Sequence, residues 1–263
     1  MDNKHYIIVL SLLFLMMTIK WEAVNGQRPF FSFQPGEEVP AEYLKEHGHD
    51  AFFHSDPIPD SIFCFIEGKS FQPGCTTPRE SLRYLRCLHY DLDGKARVGE
   101  MIANVLIAND LIEIFRELFV HHYPIEKMRL VDNWDADDER AMRDNNSSAF
   151  NFRFVSHTKK VSKHGVGMAV DINPLYNPYY KRLADGREII EPATGKAYLD
   201  RAKVFPYKIT KGDLCHKLFI QHGFTWGGEW RSCKDYQHFE RRLPSTPKKD
   251  TNALGAEHNR LPL

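Results

Sequence analysis

Three features are missing from this sequence of 263 residues, and each absence excludes a class of protein. There is no surplus of charge, because 35 Lys+Arg balance 35 Asp+Glu, so the chain lacks the basic excess with which nucleic-acid-binding proteins displace counterions. There is no C-x-x-C pair among its five cysteines, which argues against a cysteine zinc site. There is also no apolar run of about 20 residues, the length that spans a membrane. Charged residues at 27% and aromatic residues at 13% indicate a globular chain.

The first 26 residues have the layout of a secretory signal peptide. A start that contains Lys4 precedes an apolar run at 7–19, and a stretch of small residues ends at Gly26. A membrane anchor is the alternative, but the run is shorter than the roughly 20 apolar residues that a spanning helix needs. We therefore expect a signal peptide at 1–26, cleaved after Gly26, and a periplasmic or secreted protein without a transmembrane segment in the mature chain.

Export would place the five cysteines in an oxidising compartment, where disulfides persist. Cys64 and Cys75 flank a loop with Gly and Pro and could form a bridge, and Cys215 and Cys233 could form another. Because five is an odd number, at least one thiol is left over. We expect structural bridges together with a buried free thiol, and the pairing itself stays open.

The two ends of the exported chain have little periodic pattern. Residues 27–61 are rich in Pro, Phe and acidic residues, and we predict an irregular leader there. Its histidines could form a metal site, but scattered surface histidines are the simpler interpretation; they are His47, His49 and His54. Residues 243–263 turn polar and predict a disordered tail.

Between these ends, hydrophobic periodicity predicts both strands and helices. Asp93-Gly94 between two strand-like runs is typical of a hairpin, and Pro124 should end the helix that follows. The predicted elements are strands at 82–90 and 98–104, a helix at 108–122, short strands at 128–131 and 168–172, a helix at 213–222 and a last strand opening at 238. Hairpins that alternate with helices favour an α+β fold over a doubly wound parallel sheet. A polar stretch at 132–148 contains two N-x-S sequons, at Asn145 and Asn146, which matter only in a eukaryotic secretory pathway.

Two well-separated segments carry the residues with metal chemistry, SKHGVGMAVD at 162–171 and DYQHFE at 235–240. His164, Asp171 and His238 match the three N/O ligands of a catalytic zinc site, which keeps a fourth position open. Asp235 stands three residues before His238, where a carboxylate could take a proton from water. Each residue alone has a structural interpretation, such as a histidine in a Gly-rich turn or a solvated edge carboxylate. The conjunction of the two segments predicts a zinc site.

These motifs resemble those of the zinc peptidases that cut peptidoglycan stem peptides, a family with D-alanyl-D-alanine carboxypeptidases, dipeptidases and L-alanyl-D-glutamate endopeptidases. The first segment fits the family pattern S-x-H-x-x-G-x-A-x-D at each fixed position; these are Ser162, His164, Gly167, Ala169 and Asp171. The second segment, with residues 223–230 before it, resembles the family's closing motif. Residues 145–153 resemble the stretch that carries its active-site arginine. The resemblance extends over about 62–242, which we take as the zinc peptidase domain.

The resemblance implies a role for each matching position. It implies Zn²⁺ bound by His164, Asp171 and His238, hydrolysis by water that the zinc activates, and Asp235 as the general base. It implies that Arg153 steadies the scissile carbonyl and the oxyanion, which is sound because a preorganised cation stabilises a developing anion. Ser162 is implied to contact the substrate. The partners expected are peptidoglycan stem peptides, with no nucleic acid, and we expect a monomer.

Two alternatives to this function stay open. Carboxypeptidase and dipeptidase members of the family usually have Glu as the base, so Asp235 slightly favours an L-Ala–D-Glu type endopeptidase over a D-alanyl-D-alanine carboxypeptidase. The implied fold is a small antiparallel sheet with flanking helices, similar to the hedgehog signalling domain. A zinc domain of that kind can be a non-catalytic binding module, which is the rival hypothesis. Asp235 and Arg153 argue against it, because a binding module needs neither a base nor an oxyanion partner.

Overall fold

The computed structural model describes residues 29–155 and 158–243. The predicted signal peptide at 1–26 and the predicted tail after 243 lie outside the described residues. The α-helices are Ala41–His47 (α1), Asp60–Ile66 (α2), Val105–Val120 (α3), Asp138–Arg143 (α4) and Leu214–Gln221 (α5). Short 3-10 turns connect several of the elements, including one at His164–Val166.

The strands form small sheets rather than the one sheet that the sequence suggested. A first antiparallel sheet contains His54–Pro57 (β1), Leu82–Tyr90 (β2) and Ala96–Asn104 (β3) in that order. A parallel pair contains Lys127–Met128 (β4) and Asn146–Ser147 (β5). The remaining strands are Ala169–Asp171 (β6), Tyr179–Arg182 (β7), Glu188–Glu191 (β8), Thr225–Trp226 (β9), Lys234–Asp235 (β10) and His238–Glu240 (β11). They form a second antiparallel sheet, β10-β7-β8, and a third, β6-β11-β9.

The hairpin of β2 and β3 is the longest ladder among the described residues, and it confirms the predicted pairing. Leu82 pairs with Asn104 at one end and Tyr90 pairs with Ala96 at the other. The side chain of Asn104 then accepts a hydrogen bond from the backbone of Leu106 and so caps the start of α3. This cap explains why the helix begins three residues earlier than periodicity alone predicted. Apolar residues of α3, among them Leu111 and Phe115, pack against β2 in the main core.

The segment at 27–61, predicted as an irregular leader, is ordered where the structure describes it. It contributes α1 and β1, and β1 pairs with β2 along the edge of the first sheet. Four of its buried apolar side chains belong to the same core as α3 and β2, namely Phe33, Val39, Phe52 and Phe53. These residues show no local period because they pack against elements that are distant in sequence. The folded unit therefore begins well before residue 62.

The predicted disulfide bridges are absent from the structure, which describes all five cysteines. Each is a free thiol, with Cys87 and Cys215 buried and Cys64 exposed. Cys215 lies inside the core on α5, whereas Cys233 lies on a half-exposed loop. The structure shows no bond between these two cysteines. The suggestions of a Cys64–Cys75 and a Cys215–Cys233 bridge were wrong.

Helices and small antiparallel sheets confirm the coarse α+β class, while the likeness to the hedgehog domain stays a prediction. Within residues 29–155 and 158–243, no helix combines the length and the apolar character required to cross a membrane.

Candidate metal centre

Two candidate ligands come from neighbouring strands of the third sheet. Strands β6 and β11 pair antiparallel, and His238 stands directly opposite Asp171. Side chains that are directly opposite in such a ladder lie on the same face, with their Cβ atoms about 5 Å apart. The other face is anchored in the core, because Val170 and Phe239 are fully buried. Strand pairing alone therefore brings Asp171 and His238 together, although they are far apart in sequence.

The third candidate ligand, His164, comes from a tight turn before β6. The 3-10 turn ends at Gly167, whose φ of 67° is the left-handed conformation that suits glycine. A Cβ atom at this position would lie 2.7 Å from the backbone nitrogen of Asn104, so the turn is packed directly against the end of β3. Ser162 supports the same turn, because its Oγ accepts a hydrogen bond from the backbone N–H of His164 at 3.3 Å.

The three candidate ligand residues form a compact triangle, in which each histidine faces a different carboxylate oxygen of Asp171. His164 Nε2 lies 3.1 Å from His238 Nδ1 and 3.2 Å from Asp171 Oδ2, and His238 Nδ1 lies 3.0 Å from Asp171 Oδ1. A tetrahedral zinc ion with bonds of about 2.0–2.1 Å separates its ligand atoms by about 3.3 Å. The triangle therefore has the size and the N/N/O donor set that suit zinc, and these residues could hold the ion.

The remaining ring nitrogens of both histidines have partners that fix the rings. His164 Nδ1 lies 2.6 Å from the carbonyl oxygen of Ala149, and His238 Nε2 lies 3.3 Å from Glu240 Oε2. If each of these nitrogens donates, His164 Nε2 and His238 Nδ1 are left to face the centre, as in metal sites whose histidines are oriented by outer partners. The role of Glu240 as a partner of His238 was not predicted from the sequence. The available signal was its place two residues after His238 on a strand, which puts both side chains on one face.

Electrostatics at the centre favour a cation. Burial would raise the pKa of Asp171, but His164 and His238 hold it well below its usual range. Burial would likewise lower the pKa of His238, but hydrogen bonds to Asp171 and Glu240 outweigh burial and raise that pKa to about 10. The raised pKa favours a proton on His238, beside the carboxylates of Asp171 and Glu240. A divalent ion would replace that proton, because a ligating histidine must be neutral.

Asp235, the predicted base, lies on β10 in the second sheet, beside but not within this triangle. Burial, opposed by His238 and reinforced by Asp171, raises the pKa of Asp235 to about 7. Its Oδ1 atom is buried and has no hydrogen-bond partner within the part of the chain that the structure describes. A buried carboxylate with a free oxygen and a raised pKa is suited to accept a proton near neutral pH.

The backbone of Arg153 contacts the segment that leads into the His164 turn, while its side chain pairs with an acidic residue. Its carbonyl oxygen accepts a hydrogen bond from the backbone N–H of Ser162 at 2.9 Å, next to the His164 turn. Its guanidinium forms an ion pair with Asp138 of α4. The structure therefore shows how Arg153 is held, and its role towards an oxyanion stays a prediction, as does substrate contact by Ser162.

The leader histidines and the sequon asparagines, which the sequence offered as candidate functional residues, have partners outside the metal centre. The leader histidines lie next to acidic side chains of their own segment, and the pairs are His47–Glu46, His49–Asp50 and His54–Asp56. The sequon residues Asn145 and Asn146 are buried, and their side chains bond to Glu126 and to the backbone of Arg129. Both sequon side chains are thus structural in the folded chain.

Comparison with known families agrees with this geometry. Residues 156–241 match the model of a peptidase family described as D-alanyl-D-alanine carboxypeptidase. The match covers about a third of the chain and includes all three candidate ligands and Asp235, whereas Arg153 lies just outside it. It confirms the family resemblance that the motifs predicted. No significant match was found among curated proteins or among solved structures.

Proposed function

We propose that this protein is a secreted zinc metallopeptidase that hydrolyses peptide bonds in peptidoglycan stem peptides. The observation that carries the proposal is the triangle of His164, Asp171 and His238, with ligand atoms 3.0–3.2 Å apart. The ordered motifs and the match to a peptidase family support the same assignment. Three protein ligands, rather than four, are typical of catalytic zinc, which keeps one position for water or substrate.

In this proposal each residue around the metal has a separate role in the reaction. Bound zinc would lower the pKa of water to about 7 and polarise the substrate carbonyl. Asp235 accepts the proton of the attacking water and passes it to the leaving amine. Arg153 stabilises the negative charge that develops on the carbonyl oxygen. Glu240 and the Ala149 carbonyl keep the two imidazole rings in place.

The bond that is cut has two candidates, each with its own support. Asp235, where carboxypeptidase members of the family usually have Glu, favours an endopeptidase that cleaves between L-Ala and the D-Glu-type residue. The description of the matching family favours a D-alanyl-D-alanine carboxypeptidase. Both reactions use the same centre and differ in which part of the stem peptide lies across it.

Digestion of purified muropeptides by the zinc-loaded protein tests the proposal. Mass spectrometry should show a new amino terminus at the D-Glu-type residue for the endopeptidase, and free D-Ala for the carboxypeptidase. Asp235→Asn with unchanged zinc content is the matched control and should be inactive. If zinc-replete protein cleaves no muropeptide, the non-catalytic binding module becomes the better assignment.

A further inference from the structure

A row of three polar side chains crosses the second sheet and begins at the candidate base. Strand β7 lies in the middle of this sheet, and its Tyr179 pairs with Asp235 of β10 on one side and with Glu191 of β8 on the other. Directly opposite residues in antiparallel ladders share a face. Asp235, Tyr179 and Glu191 therefore stand side by side, and the row extends from the candidate base to the edge of the sheet.

Glu191, at the outer end of the row, has no cationic partner within ion-pair distance among the described residues. Asp138 is paired with Arg153, and Glu139 is paired with Arg143 at 2.9 Å. Among the described residues no ion pair involves Glu191, although these acidic groups and Arg153 lie near enough to act on it electrostatically. Its side chain is exposed and is accessible to a ligand. The end of the row thus carries one uncompensated negative charge.

A second, independent observation indicates that a hydrogen-bond donor is missing here. Gln237 is 3% exposed, and its Nε2 donates to the backbone oxygen of Glu191 at 3.5 Å. Its side-chain oxygen is buried and has no hydrogen-bond partner within 29–155 and 158–243. A buried acceptor without a partner carries a free-energy penalty, which an N–H group of a ligand would remove.

We infer that Glu191, Tyr179 and Gln237 form a subsite, here called the ammonium subsite, that binds a side-chain amine of a substrate residue further along the peptide than the two residues that flank the scissile bond. The inference rests on the proposed peptidase function and narrows its substrates to peptides with a free side-chain amine. A carboxylate, an amide oxygen and a phenol oxygen can all accept hydrogen bonds, and an ammonium group offers three donors. The positive charge also complements the uncompensated Glu191.

Two stem-type peptides that differ only in acetylation of one side-chain amine test the subsite. Zinc-loaded wild-type protein should cleave the free-amine peptide with about fivefold higher kcat/KM, the scale of a partly exposed ion pair. Glu191→Gln should remove this preference, so that the variant cleaves the two peptides with equal kcat/KM. Glu188→Gln is the matched control, because Glu188 lies on the same strand but on the opposite face, beside the hydroxyl of Tyr180. It should keep the preference.

Equal cleavage of both peptides by the wild-type protein, or an unchanged preference in Glu191→Gln, would overturn the inference. If neither peptide is cleaved, the proposed function fails, and calorimetric titration of the same two peptides still decides the subsite. Tighter binding of the free-amine peptide by wild type than by Glu191→Gln supports it. Equal binding in the two proteins rejects it.

Discussion

Gly227 lies directly against the backbone of Asp235. A Cβ atom at residue 227 would be 2.6 Å from the carbonyl oxygen of Asp235 and 2.7 Å from its Cβ. Both distances are shorter than real side-chain carbons tolerate, and the opposing atoms are not the end of a flexible side chain that could move away. The position of the candidate base thus depends on the absence of a side chain at Gly227, the first residue of a neighbouring 3-10 turn.

Gly227→Ala should displace Asp235 and reduce kcat by about tenfold or more, because small misplacements of reacting groups are costly. The zinc content should stay at one ion per chain, since His164, Asp171 and His238 lie on other elements. Turnover and elemental analysis of the same preparation check this, with circular dichroism to confirm folding. A fully active alanine variant would contradict the close contact.

His164→Ala and His238→Ala should each lose zinc and activity together, because two remaining ligands hold the ion weakly. Removal of the metal from the wild-type protein by a chelator should abolish cleavage, and added Zn²⁺ should restore it. His54→Ala is a suitable control, because His54 is paired with Asp56 far along the chain from the centre. Full zinc occupancy in either ligand variant would refute the assignment.

Glu240→Ala should weaken zinc binding by about 10- to 100-fold, since it removes the carboxylate that orients His238. Glu240→Gln keeps an acceptor oxygen and should retain much of the affinity. Competition with a chromogenic chelator measures both variants without reference to catalysis. The side chain of Glu229 is paired with Lys211, away from the candidate ligands. Glu229→Gln therefore serves as the control and should bind zinc like the wild type. Equal affinities in all of these proteins would show that Glu240 does not support the centre.

The pH dependence of cleavage should report the ionisation of Asp235. Because its pKa is raised to about 7 in the metal-free chain, the base is lost as the pH falls below that value. A bound divalent cation favours the ionised carboxylate and lowers this pKa. We therefore expect kcat/KM to decrease with falling pH through an apparent pKa between 3.8 and about 7. Asp235→Asn should be nearly inactive, and any residual rate should lack this limb. Persistence of the limb in the variant would assign it to another group.

Arg153→Ala should lower kcat by about 10²–10³, the cost of one lost oxyanion donor, with little change in zinc content. Asp138→Asn tests whether the ion pair with Asp138 positions the guanidinium, and it should have a smaller effect than loss of the arginine itself. Steady-state kinetics of both variants on one peptide separate these contributions. A normal rate in Arg153→Ala would place oxyanion stabilisation elsewhere.

The parts of the fold that the sequence predicted are those with local signals. The hairpin around Asp93-Gly94 and the helix ended by Pro124 depend on turn chemistry and on a period of 3.6 residues, which can be read within short windows. The candidate ligands His164, Asp171 and His238 could be predicted in the same way, because they occur in compact motifs. What brings His238 opposite Asp171 is strand pairing across a long stretch of chain, which only the structure shows.

The features that the sequence did not predict depend on contacts between distant segments. Phe33 and Phe52 contact each other and Tyr43, and they look unpatterned in the sequence because the core that they join is completed by β2 and α3, which lie far along the chain. The row that contains Tyr179 and Glu191 was missed for the same reason, since a cross-strand register cannot be read from the chain. The bridges suggested for the cysteines failed because spacing in the sequence carries no information about the distance between side chains, and each of the five cysteines is a free thiol.

The candidate base and two of the candidate metal ligands lie on different sheets, so their surroundings can change independently during evolution. Asp235 and Tyr179 belong to the second sheet, while Asp171 and His238 belong to the third. In the proposed function, substitutions along β7 and β8 would change which peptides are accepted without altering the candidate ligands. Such a division would let related proteins differ in substrate choice while they keep the same metal site.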